Sequence, residues 1–365
     1  MCTSTLRPIA AHGGAGAMSP LACVRRTSAT YAPRRSSRLA SVGRETRTAR
    51  FASGSAAEPT RCTCAGHVPR AMTTGGGTLT TMAATIIDGK ALAQKVRAEV
   101  ARDVELLGGV GLATVLVGDD PASHIYINLK QKAAEEAGME ARDLKLPADL
   151  GEEELLDAIR ELNDDDSVDG LLVQLPLPDH LDETRVIEAI APEKDIDGIH
   201  PFNAGSLYLG RPTLVPGTPL GVMRMLDEYG IELEGARAVV VGRSAIVGKP
   251  MAHLLLQRNA TVTICHSRTQ DLQRHTLDAD VLVAAVGRMH LIGADMVKAG
   301  ATVIDVGMNR GEGKKVYGDV DPSAAEVAAY MTPVPGGVGP MTIAMVMANT
   351  VTAARARRGL VSPAN

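Results

Sequence analysis

The chain has 365 residues, of which 45% are hydrophobic and 22% charged, a globular composition with room for two domains. Trp is absent and Phe occurs only twice, so the core must be aliphatic. No run approaches the roughly 18 uninterrupted apolar residues of a membrane span, and we expect no membrane partner.

The overall charge of −4 is divided unevenly along the chain. Residues 1–82 contain 11 Arg, no Lys and two acidic residues, which gives them +9 and leaves −13 for the remainder. An Arg-rich, Ser- and Thr-rich, acid-poor start is typical of an organelle transit peptide. We therefore predict that residues 1–82 are a disordered transit peptide and linker. We assign the leader to plastid import, while a mitochondrial leader and a disordered cytosolic tail remain open alternatives.

The charge and cysteines of the remaining chain exclude several classes of function. Its −13 charge argues against nucleic acid binding, because phosphate binding needs a basic face. Cys62 and Cys64 do not have the spacing of a metal site, and no second ligand pair follows. Only Cys265 lies beyond the leader, so we predict neither a disulfide nor a metal.

Strands and helices alternate along residues 83–358. Apolar runs ending in glycine or proline predict buried strands, and helical spacing predicts the segments between them. The predicted elements are, in order, strand 112–118, helix 123–138, strand 170–176, helix 219–229, strand 236–242, helix 247–259, strands 261–266, 281–287 and 301–307, and helix 340–358. Helical crossovers between apolar strands imply parallel sheets covered on both faces.

A glycine-rich turn joins strand 236–242 to the next helix. Gly242 and Gly248 would let the backbone approach a pyrophosphate that rests on the helix N-terminus. The spacing is not the usual G-x-G-x-x-G, so a plain glycine-rich turn remains an alternative. The turn nevertheless favours a dinucleotide site.

The end of strand 261–266 indicates which dinucleotide is bound. NAD-binding proteins usually carry an acid there for the ribose hydroxyl, and this chain has His266, Ser267 and Arg268 instead. With Arg243 and Ser244 they offer positive charge and hydroxyls, which suit a 2′-phosphate. We therefore predict NADP as the cofactor.

Polar residues in the first half of the chain suggest a catalytic centre. Tyr126 and Lys130 are four residues apart and share a helix face, although an isolated pair of this kind is often an ordinary surface pair. Gln174 lies in a predicted buried strand, where its amide needs a partner. Asp195 and Asp197 follow in a loop. A lysine in such a pocket can act as a general base.

Several motifs in fixed order resemble one known family. They are the helix that carries Lys130 and the segments Val173–Pro178, Pro216–Pro219, Gly242–Pro250 and Thr332–Thr342. Over nearly all of residues 83–358 they closely resemble the bifunctional methylenetetrahydrofolate dehydrogenase/methenyltetrahydrofolate cyclohydrolase family. The resemblance, with the leader, implies an organelle-targeted form that oxidises 5,10-methylenetetrahydrofolate with NADP and hydrolyses the methenyl product to 10-formyltetrahydrofolate.

The resemblance implies a role for each matching residue near the folate. Lys130 matches the catalytic lysine, Gln174 the residue that tunes it, and Tyr126 the tyrosine that stacks beside the folate. Asp197 matches the acid that anchors the pterin ring, and Ser123 the serine that precedes this group. These residues form the expected catalytic and substrate-binding set.

The remaining matches concern the cofactor and the final loop. Arg243, Ser244 and Ser267 match phosphate contacts. The other cofactor positions that we expect are Thr218, Gly242, Gly248 and His266. The loop over 335–340 borders both ligands in the family, so Pro335, Gly336 and Gly337 are expected to bind substrate. The chain departs from the pattern at Ser206 and Gly217, where the family often has Arg and a small side chain with a Cβ, respectively.

The implied fold is α/β, with two domains and a cleft between them. An N-terminal folate-binding catalytic domain is expected over residues 83–219 and regains the helix 340–358. An NADP-binding Rossmann-type domain is expected over residues 220–335. The family also implies a homodimer.

Other functions fit the pattern less well. A short-chain dehydrogenase also has Tyr-x-x-x-Lys, but there the glycine turn comes first, whereas Tyr126 precedes Gly242 by more than a hundred residues. A non-catalytic NADP sensor would not need Lys130, Gln174 and Asp197 together. A dehydrogenase that has lost the hydrolysis step is disfavoured by the retention of Lys130.

Overall fold

The structure, a computed structural model, describes residues 83–360 except 312 and 314. The predicted leader over residues 1–82 lies outside the described residues. Among the described helices, none is both long enough and apolar enough to cross a bilayer.

Eleven strands form three sheets within the described residues. The strands are β1 Thr85–Ile86, β2 Gly111–Val117, β3 Glu140–Leu146, β4 Gly170–Val173, β5 Arg237–Val241, β6 Thr261–Cys265, β7 Val281–Ala284, β8 Thr302–Asp305, β9 Asn309–Arg310, β10 Val316–Tyr317 and β11 Tyr330–Met331. The helices are α1 Gly89–Leu107, α2 Pro121–Glu136, α3 Glu152–Asp164, α4 Glu183–Ala189, α5 Pro201–Tyr208, α6 Gly217–Glu228, α7 Gly248–Gln257, α8 Leu272–Thr276 and α9 Val338–Arg357.

The first sheet is parallel, in the order β3-β2-β4. Every residue of β2 is buried, as expected for a central strand in an apolar run. The chain leaves β2 at the carboxyl edge of the sheet and enters α2, where the Asp120 side chain accepts a hydrogen bond from Ser123 N at 2.8 Å. This N-cap fixes the start of the helix that carries Lys130.

The second sheet has the order β1-β11-β8-β7-β5-β6, and all its pairings are parallel. The strand order reverses at β5, because the chain goes first to β6 on one side and then to β7 on the other. Ligands of open parallel sheets bind at the carboxyl edge beside such a reversal. Strand β1 joins this sheet through β11, so the first described residues pair with the second half of the chain.

Helix α9 packs against α1, α2, α6 and β4. Its end is held by Asp169, a residue 3% exposed whose side chain accepts bonds from Arg357 Nη1 at 3.1 Å and Arg358 Nη2 at 2.8 Å. The same carboxylate accepts Gly111 N at 3.0 Å. The last helix is therefore fastened to the first sheet.

The structure corrects the sequence prediction at several elements. The strand predicted over 170–176 ends at Val173, because Pro176 and Pro178 lack the N–H that would extend the ladder. Helix α9 starts at Val338, two residues earlier than predicted. The sequence analysis missed α1, α3 and β3, although α1 buries apolar residues at helical spacing.

The expected coverage of both faces fails at β6. Its side chains at Thr261, Thr263 and Ile264 are exposed, and β6 pairs only with β5 among the described residues. Cys265 alone on this strand is fully buried, and burial raises the pKa of its thiol. The exposed faces arise because β6 is an edge strand.

Candidate active site

Lys130 and Gln174 meet at the carboxyl edge of the first sheet. Lys130 is 9% exposed, and its Nζ donates to Gln174 Oε1 at 3.3 Å. The other end of the amide, Nε2, donates to Leu175 O at 2.6 Å, so the acceptor end faces the amine. Gln174 N donates to Val115 O at 2.9 Å, which anchors the amide residue to β2. The sequence analysis placed Gln174 within the strand, but in the structure it lies just after β4, which ends at Val173.

The exposed side of α2 next to Lys130 is apolar. Tyr126 is 38% exposed, and its neighbours Ile125 and Leu129 are 52% and 46% exposed. Ser123 is buried under the first turn, at 3% exposure. Tyr126 shares a helix face with the buried Lys130, so its exposed ring is suited to stack against a planar ligand beside the amine.

The segment that carries Asp197 runs alongside β4. Leu171 N donates to Lys194 O at 2.7 Å, and Leu171 forms a parallel bridge with Asp195. Because the two segments run in the same direction, Asp197 reaches the same edge as Gln174. Asp197 itself is half-buried. The following Gly198 has φ +64°, and a Cβ there would lie 2.6 Å from Val215 C, so the turn requires glycine.

Two neighbours of Asp197 are structural. Lys194 is 2% exposed and its Nζ donates to the carbonyls of Leu162, Asn163 and Asp165 at 3.1, 2.6 and 2.8 Å, which closes the C-terminus of α3. Burial lowers the pKa of this ammonium. Of the ionisable side chains in this motif, Asp197 is the one left free to face a ligand.

Asp195 braces the loop from within. It is 1% exposed, and its Oδ2 accepts His200 N at 2.8 Å and Asn203 Nδ2 at 2.9 Å. Burial raises the pKa of this carboxyl. The sequence analysis grouped Asp195 with Asp197, and the structure separates them into a buried brace and a half-buried side chain.

Asn349 is a residue that the sequence analysis missed. It lies on α9 at 4% exposure, and its Nδ2 donates to Ile196 O and to Val215 O, both at 2.8 Å. One amide thus joins the loop before Asp197 to the segment that enters α6. A lone Asn within the apolar run of the last helix was the signal available for it.

Thr218 lies near this junction and not on the glycine turn. Its Oγ1 is 2.8 Å from Thr342 Oγ1, and Thr342 Oγ1 donates to Val338 O at 3.3 Å. Since Thr342 donates to the carbonyl, Thr218 donates to Thr342. The pair connects the first turn of α6 to the first turns of α9.

The loop before α9 is tightly built. The Val334–Pro335 peptide is cis, Gly336 has φ +108°, and Gly337 N donates to Pro333 O at 2.9 Å. A Cβ on Gly89, the first residue of α1, would lie 1.9 Å from Gly337 O. The start of α1 therefore packs directly against the loop predicted to border both ligands.

The glycine turn lies at the reversal of the second sheet. Gly242 has φ +132°, and a Cβ on it would lie 2.1 Å from Ala285 O in the loop after β7. A Cβ on Gly248 would lie 2.3 Å from Gly242 O. Ser244 Oγ accepts Val247 N at 3.2 Å and Gly248 N at 3.3 Å, and so holds the turn that leads into α7. The turn brings open backbone to the crevice at the helix start.

The loops after β5 and β6 lie side by side. Gly242 N donates to Cys265 O at 2.8 Å, which places Arg243 beside His266 and Ser267. Arg243, Ser267 and Arg268 are exposed. His266 Nδ1 accepts Arg268 N at 3.1 Å, so the imidazole is held within its own turn. Exposed positive charge and a hydroxyl thus converge at one end of the crevice.

These features define an α/β enzyme with a dinucleotide-binding sheet and a second α/β unit that holds a buried lysine–amide pair. No group of three or more His, Cys, Asp or Glu side chains in the described part of the chain is placed to hold a metal ion.

Comparison with known proteins supplies the particular family. The model of the tetrahydrofolate dehydrogenase/cyclohydrolase catalytic domain matches residues 87–197, and that of the corresponding NAD(P)-binding domain matches residues 216–358. The chain belongs to the tetrahydrofolate dehydrogenase/cyclohydrolase family, as the sequence motifs predicted.

Similar proteins include bacterial enzymes described as bifunctional protein FolD. The Paraburkholderia xenovorans protein is 58% identical over 278 residues, which are 75% of this chain and 97% of the relative. The Campylobacter jejuni FolD structure has 48% identity and a TM-score of 0.74, covering 75% of this chain and all of that one. A Trypanosoma brucei enzyme, solved with NADP and an inhibitor, has 38% identity and a TM-score of 0.73, covering 77% and 100%.

Proposed function

We propose that this enzyme oxidises 5,10-methylenetetrahydrofolate with NADP and hydrolyses the resulting methenyl compound to 10-formyltetrahydrofolate. The observation that carries the proposal is the buried Lys130 amine held 3.3 Å from the Gln174 amide oxygen, beside the segment that ends in Asp197. A dehydrogenase alone needs no proton transfer at the reacting carbon, so a buried amine in this position favours the second activity as well.

The residues of the chain divide the work as follows. Asp197 accepts hydrogen bonds from the pterin ring, and Tyr126 stacks on the folate from the exposed side of α2. NADP, when bound, supplies the hydride acceptor. Lys130 takes a proton as water adds to the methenyl carbon and returns it when the carbinolamine opens. Gln174 keeps the amine directed at that carbon. Ser123, in the first turn of α2, helps to fix the helix that carries Lys130.

The residues at the second sheet fit NADP. Gly242 and Gly248 let a pyrophosphate approach the start of α7, and Ser244 lies at the same helix start. Arg243 and Ser267 are exposed and lie beside each other where a 2′-phosphate would project. The NADP bound to the Trypanosoma brucei relative supports the same assignment.

We further propose the two domains expected from the sequence, over 83–219 with 340–358 and over 220–335, with both ligands in the cleft between them. Strand β1 departs from this division, because Thr85–Ile86 pairs with β11 in the second sheet. Packing of α9 on α1, α2 and β4 supports the return of the last helix to the catalytic domain, and α9 also packs on α6, where the second domain begins. We propose that Pro335, Gly336 and Gly337 border the folate and that Thr218 and His266 contact the cofactor, as the family resemblance implies.

The first test identifies the products. Purified protein incubated with 5,10-methylenetetrahydrofolate and NADP should form NADPH, seen by absorbance, and 10-formyltetrahydrofolate, seen by chromatography. If the methenyl compound accumulates and is hydrolysed no faster than it is without enzyme, the protein has only the dehydrogenase activity. Absence of NADPH would reject the proposal.

We propose that residues 1–82 are an import leader for plastids. Support comes from their +9 charge and from the family matches, which begin only at residue 87. A chain starting at Met82 should be soluble and active, because it retains β1 and the Ala84 N bond to Ala325 O. A fluorescent protein fused behind residues 1–82 should enter plastids. Mitochondrial fluorescence would reverse the organelle assignment, and cytosolic fluorescence would reject import.

We propose that the protein is a homodimer formed along the edge of β6. The open edge of that strand and its exposed Ile264, at 43%, support pairing with a second copy. Light scattering should give twice the chain mass. Ile264→Lys should shift the mass toward the monomer, while Leu106→Lys at the 81% exposed end of α1 should not. A monomeric unaltered protein would reject the dimer.

A further inference from the structure

Two buried aspartates lie at the carboxyl edge of the second sheet. Asp305 ends β8 at 2% exposure, and Asp319 follows β10 at 0%. Neither has a Lys or Arg bonded to its carboxylate among the described residues; both are satisfied chiefly by backbone N–H groups. A buried carboxylate without a cationic partner is costly, so the hydrogen bonds that satisfy it must hold the donating backbone in one arrangement.

Asp319 fills a concave cradle of backbone amides in the loop after β7. Its Oδ2 accepts Val286 N at 2.7 Å and Gly287 N at 3.0 Å, and its Oδ1 accepts Arg288 N at 2.8 Å. Asn309 Nδ2 adds a fourth bond to Oδ1 at 2.9 Å. Consecutive amides of this kind form an anion-binding concavity, and here the protein supplies the anion itself.

Asp305 extends the arrangement to the loop before α9. Its Oδ1 accepts Gly307 N at 2.8 Å and Asp319 N at 2.9 Å, and its Oδ2 accepts Val320 N at 3.0 Å. Asp305 N donates to Thr332 Oγ1 at 2.7 Å. Burial raises the pKa of this carboxyl to about 6. The two aspartates thus connect the loops that follow β7, β8 and β11.

The position of these loops is set by the order of the strands. With the 2′-phosphate end beside Ser267 after β6 and the pyrophosphate at Gly242 after β5, the other half of the dinucleotide must extend over β7, β8 and β11. The loop after β7 touches the pyrophosphate turn, since a Cβ on Gly242 would meet Ala285 O. Its amides are already bonded to Asp319, so they act as a fixed wall.

We propose that Asp319, supported by Asp305, is a positioning residue for the nicotinamide end of NADP. By holding the wall of the crevice, it places the nicotinamide for hydride transfer. It takes no part in the hydrolysis at Lys130. The proposal rests on the NADP orientation given above and adds a residue whose loss should separate the two activities.

The test measures both activities on the same preparation of Asp319→Asn. An amide can accept with its one oxygen, but its NH2 group would face N–H donors on the other side, so it cannot satisfy both halves of the cradle. Dehydrogenase kcat should fall about 10- to 100-fold, the size expected for a misplaced reacting group. Cyclohydrolase kcat, measured on the methenyl compound without NADP, should stay within about twofold. Asp278→Asn is the matched control, because its side chain is 62% exposed and pairs with Arg237 at the start of β5, away from the cradle, and it should leave both activities unchanged.

A second variant tests the cradle without altering the carboxylate. Gly287 has φ +65° and no atom within 4 Å of a built Cβ, so Gly287→Ala strains only the cradle. It should lower dehydrogenase kcat in the same direction, and a deuterated methylene substrate should show an increased isotope effect in both variants. Parallel loss of both activities, or an unchanged dehydrogenase, would overturn the proposal. Failure of the unaltered enzyme to reduce NADP would instead reject the function on which it rests.

Discussion

Replacing Lys130 with Gln should lower cyclohydrolase turnover about 100-fold or more, the usual size of general acid–base catalysis. The variant keeps similar length and polarity but cannot exchange a proton at neutral pH. Dehydrogenase turnover should fall much less. In that step the methylene carbon gives up hydride, and the two neighbouring nitrogens stabilise the cation without any proton transfer at carbon.

The measurement compares NADPH formation with hydrolysis of the methenyl compound on the same protein. Lys132→Gln is the matched control, because Lys132 lies on the same helix with a side chain 73% exposed; both activities should persist in it. A parallel fall of the two activities in Lys130→Gln would make Lys130 a binding or structural residue. Loss of the Lys130–Gln174 hydrogen bond would disturb the structure of the site and lower both activities together, whereas loss of proton transfer lowers only the hydrolysis.

Replacing Arg243 with Ala should weaken NADP binding about 10- to 150-fold. The guanidinium loses a charge-assisted bond to the 2′-phosphate worth about 1.5–3 kcal/mol. NAD lacks this phosphate, so its affinity should change little. Titration of both cofactors, at one fixed salt concentration, measures the ratio directly.

Arg211 provides the control for this change. It is an exposed arginine after α5, remote in sequence from the cofactor turn, and Arg211→Ala should leave both affinities unaltered. Equal loss of NADP and NAD in Arg243→Ala would show that the side chain supports the turn and does not contact the phosphate. Ser267 would then be the remaining candidate for discriminating the two cofactors.

Local sequence was sufficient for most of the parallel strands and for the glycine turn. The apolar run over 236–242 predicted β5, and the structure gives Arg237–Val241. Gly242 and Gly248 were recognisable because close backbone approach excludes every side chain, a condition that acts over a few residues. Gln174 was singled out because a buried amide needs a partner, whereas Lys130 was singled out from its spacing to Tyr126 and from the family resemblance.

The same local reasoning misassigned several polar residues. Asp195 was grouped with Asp197, yet its hydrogen-bond partners come from His200 and from Asn203 on α5, a helix that the sequence analysis did not predict. Asp319 showed no sequence signal, because its partners are backbone amides some 30 residues away. Burial of a charge depends on what folds over it, and no short window of sequence contains that information.

The sequence by itself therefore determined the α/β class, the glycine turn and the residue types at the candidate catalytic site. Helix and strand propensities and steric limits on the backbone act between near neighbours, so they are visible in the chain. Only the tertiary structure decided that β1 pairs with β11, that Asn349 joins two loops and that Asp319 fills its cradle. Those contacts are made between segments distant in sequence, and their geometry exists only once the sheets and α9 have packed together.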